Sequence, residues 1–332
     1  MDCKQEVSLL ENPVIFRNFC FFLTILELFP TSYAMYLLIY HSPTQMKDMK
    51  RCLINLAFWT RAMDLMYSFL LIPYFFIPTL VVLPVGLFSL IGLKTEIQLV
   101  VLVIIIAGLG SAVVMIFENR FNAMCPPYFR FKMNKRREYH CIMFVISFSL
   151  LISSFLRLED QNSAKNSYVN YFLCPIPEFF TTAFSFKPVS NTMLITTVLL
   201  FSLVILIQVI FFTGFSFYFL FSIERSKMSS ATRKLQLKFF YTTWLQMLTH
   251  LAVIILPMGY TFFSFLLLYR NQVLVNISTI IISLHGSITS ISTIAINRPF
   301  RNRFKMWLFP KRFKKRRSST NLNVLAVSSS WL

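Results

Sequence analysis

The stretch IQLVVLVIIIAGLGSAVVMIF, from Ile97 to Phe117, runs 21 residues without a charge. As a helix it rises about 1.5 Å per residue, so it spans about the 30 Å of a bilayer's hydrocarbon core. It lacks the strict alternation of a lipid-facing barrel strand, so it predicts a membrane-crossing helix. Six more stretches of the same kind flank it: Asn18–Tyr40, Cys52–Phe76, Tyr139–Leu156, Thr192–Phe221, Phe239–Leu268 and Val273–Ile296. The expected fold is all-α, a polytopic seven-transmembrane helix bundle. Composition agrees: 56% of the 332 residues are hydrophobic and only 14% charged, well under the quarter typical of a soluble domain.

The basic residues lie in alternate gaps. Lys47, Lys50 and Arg51 fall in the first, Arg120, Arg130, Lys132, Lys135, Arg136 and Arg137 in the third, and Arg225, Lys227, Arg233, Lys234 and Lys238 in the fifth. With ten more after the last span, 24 lie on one side, against 7 on the other, and Arg61 sits within a span. The positive-inside rule then predicts an N-terminus outside and a C-terminus in the cytoplasm. The net charge of +19 reflects this asymmetry and suits an anionic inner leaflet; no nucleic-acid partner is expected. The implied division is an extracellular N-terminus (1–17), the seven-helix domain (18–296), an amphipathic juxtamembrane helix (297–309) and a basic, disordered cytoplasmic tail (310–332). The acidic Asp2, Glu6 and Glu11 and the long first apolar run argue for an uncleaved signal anchor.

Of the six cysteines, Cys3, Cys20 and Cys174 fall on or near the expected outer side. Cys3–Cys174 and Cys20–Cys174 are both open as disulfides. Cys125, in an inner loop, is a candidate for palmitoylation.

Charges inside spans are costly and mark the bundle interior. Glu27 sits mid-span in the first helix. Arg61 and Asp64, three apart in the second, share a face and could pair with each other. They read either as a polar switch or as a structural pair. Pro30, Pro73, Pro78 and Pro257 lie in or at the ends of spans; a kink at Pro257 would make a lever of helix six. His250 and His285 are placed to meet between helices six and seven. The four histidines form no metal-binding spacing, and no GxSxG, P-loop or GxGxxG occurs, so neither an enzyme nor a cofactor is expected.

From about Leu53 to Arg301 a series of motifs appears in order. They are Leu70-Leu-Ile-Pro-Tyr74, Pro84-Val-Gly86, Phe117-Glu-Asn-Arg-Phe121, Cys174-Pro-Ile-Pro177 and Met228-Ser-Ser-Ala-Thr232. Leu235-Gln236, Phe239-Phe240, Gln246, Pro257, His285-Gly-Ser287 and Arg298-Pro-Phe-Arg301 follow. Together they resemble the nematode serpentine chemoreceptors of class H, in the Str superfamily of G-protein-coupled receptors. The chain departs from that family's common Pro-Tyr-Arg at Pro299-Phe300-Arg301, and Ser287–Ser292 is locally variant.

The resemblance implies a chemosensory receptor in the plasma membrane, by family in a sensory-neuron cilium. It would detect a small odorant or pheromone at its outer half and activate a heterotrimeric G protein at its inner half. Expected coupling residues are Glu118, Asn119 and Arg120 at the foot of helix three and Arg233, Lys234 and Lys238 at the entry to helix six. Glu27, Arg61, Asp64, Gln246, Pro257 and His285 are the expected intramembrane polar or switch positions. Glu118 and Arg120 stand where many receptors hold an acidic–arginine latch; an interfacial cap is the structural alternative. An outer pocket drawing on helices three, five, six and seven would be lined by Phe, Leu, Ile and Thr, which favours a neutral, partly apolar ligand.

Phe300, Phe304, Trp307 and Leu308 recur at helical spacing with Arg301, Arg303 and Lys305 between them, which predicts a helix lying on the membrane surface. The sequon Asn276-Ile-Ser278 lies so near helix seven that little or no glycan is expected. A ligand-gated cation channel of inverted topology is the competing reading, and a transporter a third, disfavoured by the lack of an evident inverted repeat.

Overall fold

The computed structural model describes residues 9–42, 47–76, 81–125, 129, 135–153, 162, 166, 184–185, 188–223, 230–269 and 271–308. After a 3₁₀ turn at Leu9–Glu11, α1 runs from Pro13 to Tyr40. Asn12 starts it: its side-chain oxygen accepts from Val14 N at 2.9 Å and Ile15 N at 3.3 Å, and Pro13 supplies a preset φ. Helix α2 (Lys47–Leu65) returns, and Lys50 Nζ donates to the Ile39 carbonyl at 2.6 Å where the two helices meet at the lysine- and arginine-rich end.

The second span ends earlier than its hydropathy suggests. A π-turn (Met66–Leu70) closes it, and Pro73–Phe76 leaves as strand β1, paired antiparallel with β2 (Val81–Pro84). Pro73 lacks an N–H and disfavours helix at the residue before it, and the chain leaves the helix through Ile72 at φ 45°, in the left-handed region. Gly86 then passes so close to the α2 terminus that any Cβ would strike the backbone of Leu70 and Leu71. The hairpin covers the bundle end opposite the basic one. Tyr74 packs edge-on against Phe16 and donates its hydroxyl to the Glu11 carbonyl at 2.7 Å. A two-residue strand, β3 (Phe184–Ser185), adds to β2.

Helix α3 (Thr95–Met124) is the central pillar, packed on α2, on α4 (Arg136–Ile152) and on α5 (Pro188–Tyr218). Gly108 lets the Trp59 indole lie against α3, where a Cβ would collide with it. At the basic end Phe121 sits among Phe211, Phe212, Phe215 and Phe219, tying α3 to α5 and its terminal π-turn, Phe219–Ile223. Helix α6 (Ser230–Leu266) runs on through Pro257.

The seventh span is two helices, α7 (Gln272–Ser283) and α8 (His285–Ile296), bent 46° at Leu284. No proline lies there. The Gly286 N–H donates instead to Asp64 Oδ1 at 2.8 Å, so a side chain from α2 has taken a rung of the helical ladder. Helix α9 (Arg298–Leu308) follows at once.

The exterior is apolar and the polar groups face inward. Leu199, Leu203, Leu206, Ile207 and Ile210 are exposed along α5, while Glu27, Asp64, Gln98, Glu118 and Asn276 are almost wholly buried. That is the arrangement of a bundle solvated by lipid. By length and composition α1, α3, α5 and α6 each qualify as spans, and α7 with α8 makes a fifth, bent one. Helix α2, interrupted by Arg61 and Asp64, and the 17-residue α4 pack beside them.

Candidate functional site

Among the described residues, one polar cluster lies at mid-depth in the bundle and another at the basic end. In the first, Arg61 Nη1 meets Glu27 Oε2 at 3.4 Å, with the Glu27 side chain fully enclosed. The expected Arg61–Asp64 pair does not form. Although the two residues share a broad face of α2, Arg61 turns to α1 and Asp64 turns to α8, where it accepts from Gly286 N. Gly286 has to be glycine here, because the Asp64 carboxylate fills the space a Cβ would take. Next to it His250 Nδ1 and His285 Nε2 lie 2.9 Å apart, so the two histidines do meet between α6 and α8. One turn toward the basic end, Gln246 Nε2 donates to Thr293 Oγ1 at 3.1 Å.

Arg61, Asp64, Gln246, His250, Gly286 and Thr293 of this cluster border a cavity of about 320 Å³ between α1, α2, α3, α6 and α8, lined also by Thr31 and Thr60. Its walls are mixed in character, and Glu27 Oε1, Arg61 Nη2, Asp64 Oδ2 and Thr60 Oγ1 have no hydrogen-bond partner among the described residues. This cavity differs from the expected one: α5 takes no part in it, and the wall carries charge.

In the second cluster the Glu118–Asn–Arg120 triplet is divided. Positions two apart on a helix point away from each other, so the two side chains serve different neighbours. Glu118, fully buried, receives a two-pronged pair from Arg136 of α4: Nε to Oε1 and Nη2 to Oε2, both at 2.7 Å. His140 Nε2 lies 3.2 Å from Oε2, and Arg136 Nη2 also reaches Asn119 Oδ1 at 2.9 Å. Arg120, 9% exposed, donates from Nε and Nη2 to Thr243 Oγ1 of α6 at 3.2 and 3.1 Å. Thus α3 is clasped to α4 by one residue and to α6 by the next but one. Tyr139 of α4 further donates to Gln208 of α5.

Lys234 and Lys238 are exposed on the first turns of α6; the Arg233 side chain lies outside the described residues. On α9 Phe300 is buried, and Phe304 and Trp307 each stand 5.8 Å from the Tyr33 ring, while Leu308, Arg301, Arg303 and Lys305 are exposed. This surface helix folds back onto α1. Pro257 borders an apolar groove between α6 and α7, and Thr261 Oγ1 donates to its carbonyl at 3.0 Å. Asn276 is inaccessible, and its amide donates to the Leu10 carbonyl at 2.6 Å, so the sequon is structural. Cys20 is a buried free thiol, which removes the Cys20–Cys174 pairing; Cys3 and Cys174 lie outside the described residues.

Sequence reasoning did not find Arg136, His140, Thr243 and Gly286 as site residues. Arg136 was one basic residue among several, and nothing in the run around Thr243 marks it as an arginine acceptor. For Gly286 a signal existed: a glycine within an apolar span implies close approach by another group.

A profile of the Srh family, serpentine-type seven-transmembrane GPCR chemoreceptors, matches residues 11–310. The chain belongs to this family of serpentine chemoreceptors. The receptor is also 28% identical over 273 residues to serpentine receptor class H-72 of Caenorhabditis elegans, a match covering 80% of this chain and 77% of that relative. The family match takes in both polar clusters and every helix from α1 to α9, so the receptor is a multi-pass membrane protein of a receptor family, not an enzymatic one.

Proposed function

We propose that the receptor detects a small, uncharged chemosensory ligand and activates a heterotrimeric G protein through its basic end, which faces the cytoplasm of a sensory cell. The contact between Arg120 and Thr243 carries this reading. It joins the foot of the central helix to the helix whose basic entry, at Arg233, Lys234 and Lys238, borders the same surface. Parting α3 from α6 would open that face, and a ligand favouring the parted state would drive exchange on the G protein. Gln246, His250 and the α8 residues Gly286 and Thr293 connect the same stretch of α6 to the mid-depth cavity, giving a physical route from a bound ligand to the latch. Pro257, farther along α6, removes one backbone donor and would let that helix pivot.

Arg61 on the cavity wall is already met by Glu27, so an anionic ligand would find no open cation there among the described residues, and an uncharged ligand that donates a hydroxyl or N–H to the open Asp64 oxygen suits the site. The test is Arg120→Ala in cells that co-express a G protein. Arg120→Ala removes the contact and also the guanidinium that the parted face would offer the G protein, so agonist-stimulated nucleotide exchange should fall while surface expression stays near wild type. Retained exchange, or an agonist-gated cation current in cells lacking G proteins, would overturn the reading.

A further inference from the structure

At the basic end, α2 and α4 diverge across α3 and leave a cleft of about 750 Å³ that opens on the lipid-facing side. Its lining is graded along the membrane normal. Arg51 and Arg137 stand at the mouth, both exposed, and among the described residues neither has a carboxylate partner; Arg136, beside them, is committed to Glu118. One helical turn deeper, about 6 Å along α2, lies Asn55, whose amide donates, among the described residues, to the weakly accepting sulfur of Met115 at 3.6 Å. A further turn down, Trp59 and Phe144 form an apolar wall, their rings stacked at 6.1 Å. Gly108 sets the depth of that wall by admitting the indole against α3.

Cationic mouth, hydrogen-bonding neck and aromatic floor match, in order and spacing, the phosphate, glycerol ester and acyl chain of a membrane lipid. We propose that this cleft binds one anionic glycerophospholipid from the adjacent leaflet, its phosphate between Arg51 and Arg137, an ester carbonyl on Asn55 and a chain along Trp59 and Phe144. The α2–α4 cleft faces hydrocarbon, where lipid is the solvent, and an anionic headgroup supplies the counter-charge that neither arginine has among the described residues. The inference requires only that the bundle spans a membrane; it does not depend on which ligand or G protein the receptor uses. A lipid seated here would brace α4 and, through the neighbouring Arg136–Glu118 clasp, the foot of α3.

The full-length receptor in detergent, labelled with phosphatidylserine or phosphatidylcholine bearing a photoactivatable group on the acyl chain, tests the assignment by peptide mapping. Phosphatidylserine should label the peptides holding Trp59 and Phe144 at least about fivefold more than phosphatidylcholine. The double variant Arg51→Gln/Arg137→Gln should lose that preference, whereas Arg303→Gln/Lys305→Gln on α9 should keep it. Val145→Trp, at a position 58% exposed on the cleft wall, should block labelling with every charge intact. Equal labelling by the two lipids, a preference that survives the double variant, or label confined to α9 would refute the site. Efficient Cys141–Cys141 cross-linking between receptors that excludes the lipid label would assign the cleft to a second copy instead.

Discussion

Arg120 and Thr243, 123 positions apart, are joined by two hydrogen bonds that tie the foot of α3 to α6, while Glu118, two residues before Arg120, is turned away to α4. The acidic and basic members of the triplet therefore hold two interfaces rather than each other. Opening the α3–α6 contact leaves the α3–α4 clasp untouched.

Thr243→Val removes the shared acceptor with little change in volume. Basal nucleotide exchange should rise about fivefold or more, the lower end of usual allosteric couplings, while agonist affinity at the cavity strengthens by a similar factor. Unchanged basal exchange in a normally expressed variant would mean the contact does not hold the resting state.

Gly286→Ala puts a methyl group where the Asp64 carboxylate sits. It should lower the thermal midpoint of the solubilised receptor sharply. Asp64→Asn keeps an oxygen for the Gly286 N–H and should be mild; Asp64→Leu should cost about 1–3 kcal/mol through the unmet donor. If Asn and Leu behave alike, the bend at Leu284 does not depend on this bond.

Arg61→Met leaves the enclosed Glu27 carboxyl without its partner; the carboxyl then takes up a proton, and the cost is about 1–3 kcal/mol for the unmet polar group. Adding Glu27→Leu should recover much of it. The check is a double-mutant cycle on thermal midpoints, with Asp64→Asn as the alternative partner; coupling of Arg61 to Asp64 greater than to Glu27 would contradict the observed geometry.

Glycosidase treatment should leave the mobility of the expressed receptor unchanged at Asn276, since its amide is inaccessible. Asn276→Leu, which removes the bond to the Leu10 carbonyl, should loosen the start of the chain and raise protease cleavage near Glu11. A glycan-dependent shift abolished by Asn276→Gln would show that α7 is not seated against the N-terminal turn.

Tags at the two ends address orientation. On unpermeabilised cells an antibody should reach an N-terminal tag and miss a C-terminal one. The reverse pattern would place the basic end outside and favour the channel over the G-protein-coupled reading.

How much was legible in the sequence depends on the range of the forces involved. That these segments form apolar helices follows from residues within each segment, because a helix in hydrocarbon satisfies its own backbone and needs only some twenty apolar residues. The amphipathic α9 was legible for the same reason: its spacing and its basic residues are local. The overrun at Pro73–Phe76 and the unbroken reading of Val273–Ile296 show the limit of that logic. Hydropathy counts those residues as apolar either way, and cannot register that a proline leads into a hairpin or that a carboxylate 222 positions earlier takes the Gly286 N–H.

The sequence by itself determined that this is a helical membrane bundle, which ends of its helices carry the basic residues, and that costly charges lie inside it. Tertiary structure alone decided which charge meets which: Glu27 with Arg61, Asp64 with Gly286, Glu118 with Arg136 and Arg120 with Thr243. Each choice is set by how a helix is rotated and how closely its neighbour approaches. A side chain fixes its own reach and chemistry, but not the azimuth at which another helix presents a partner.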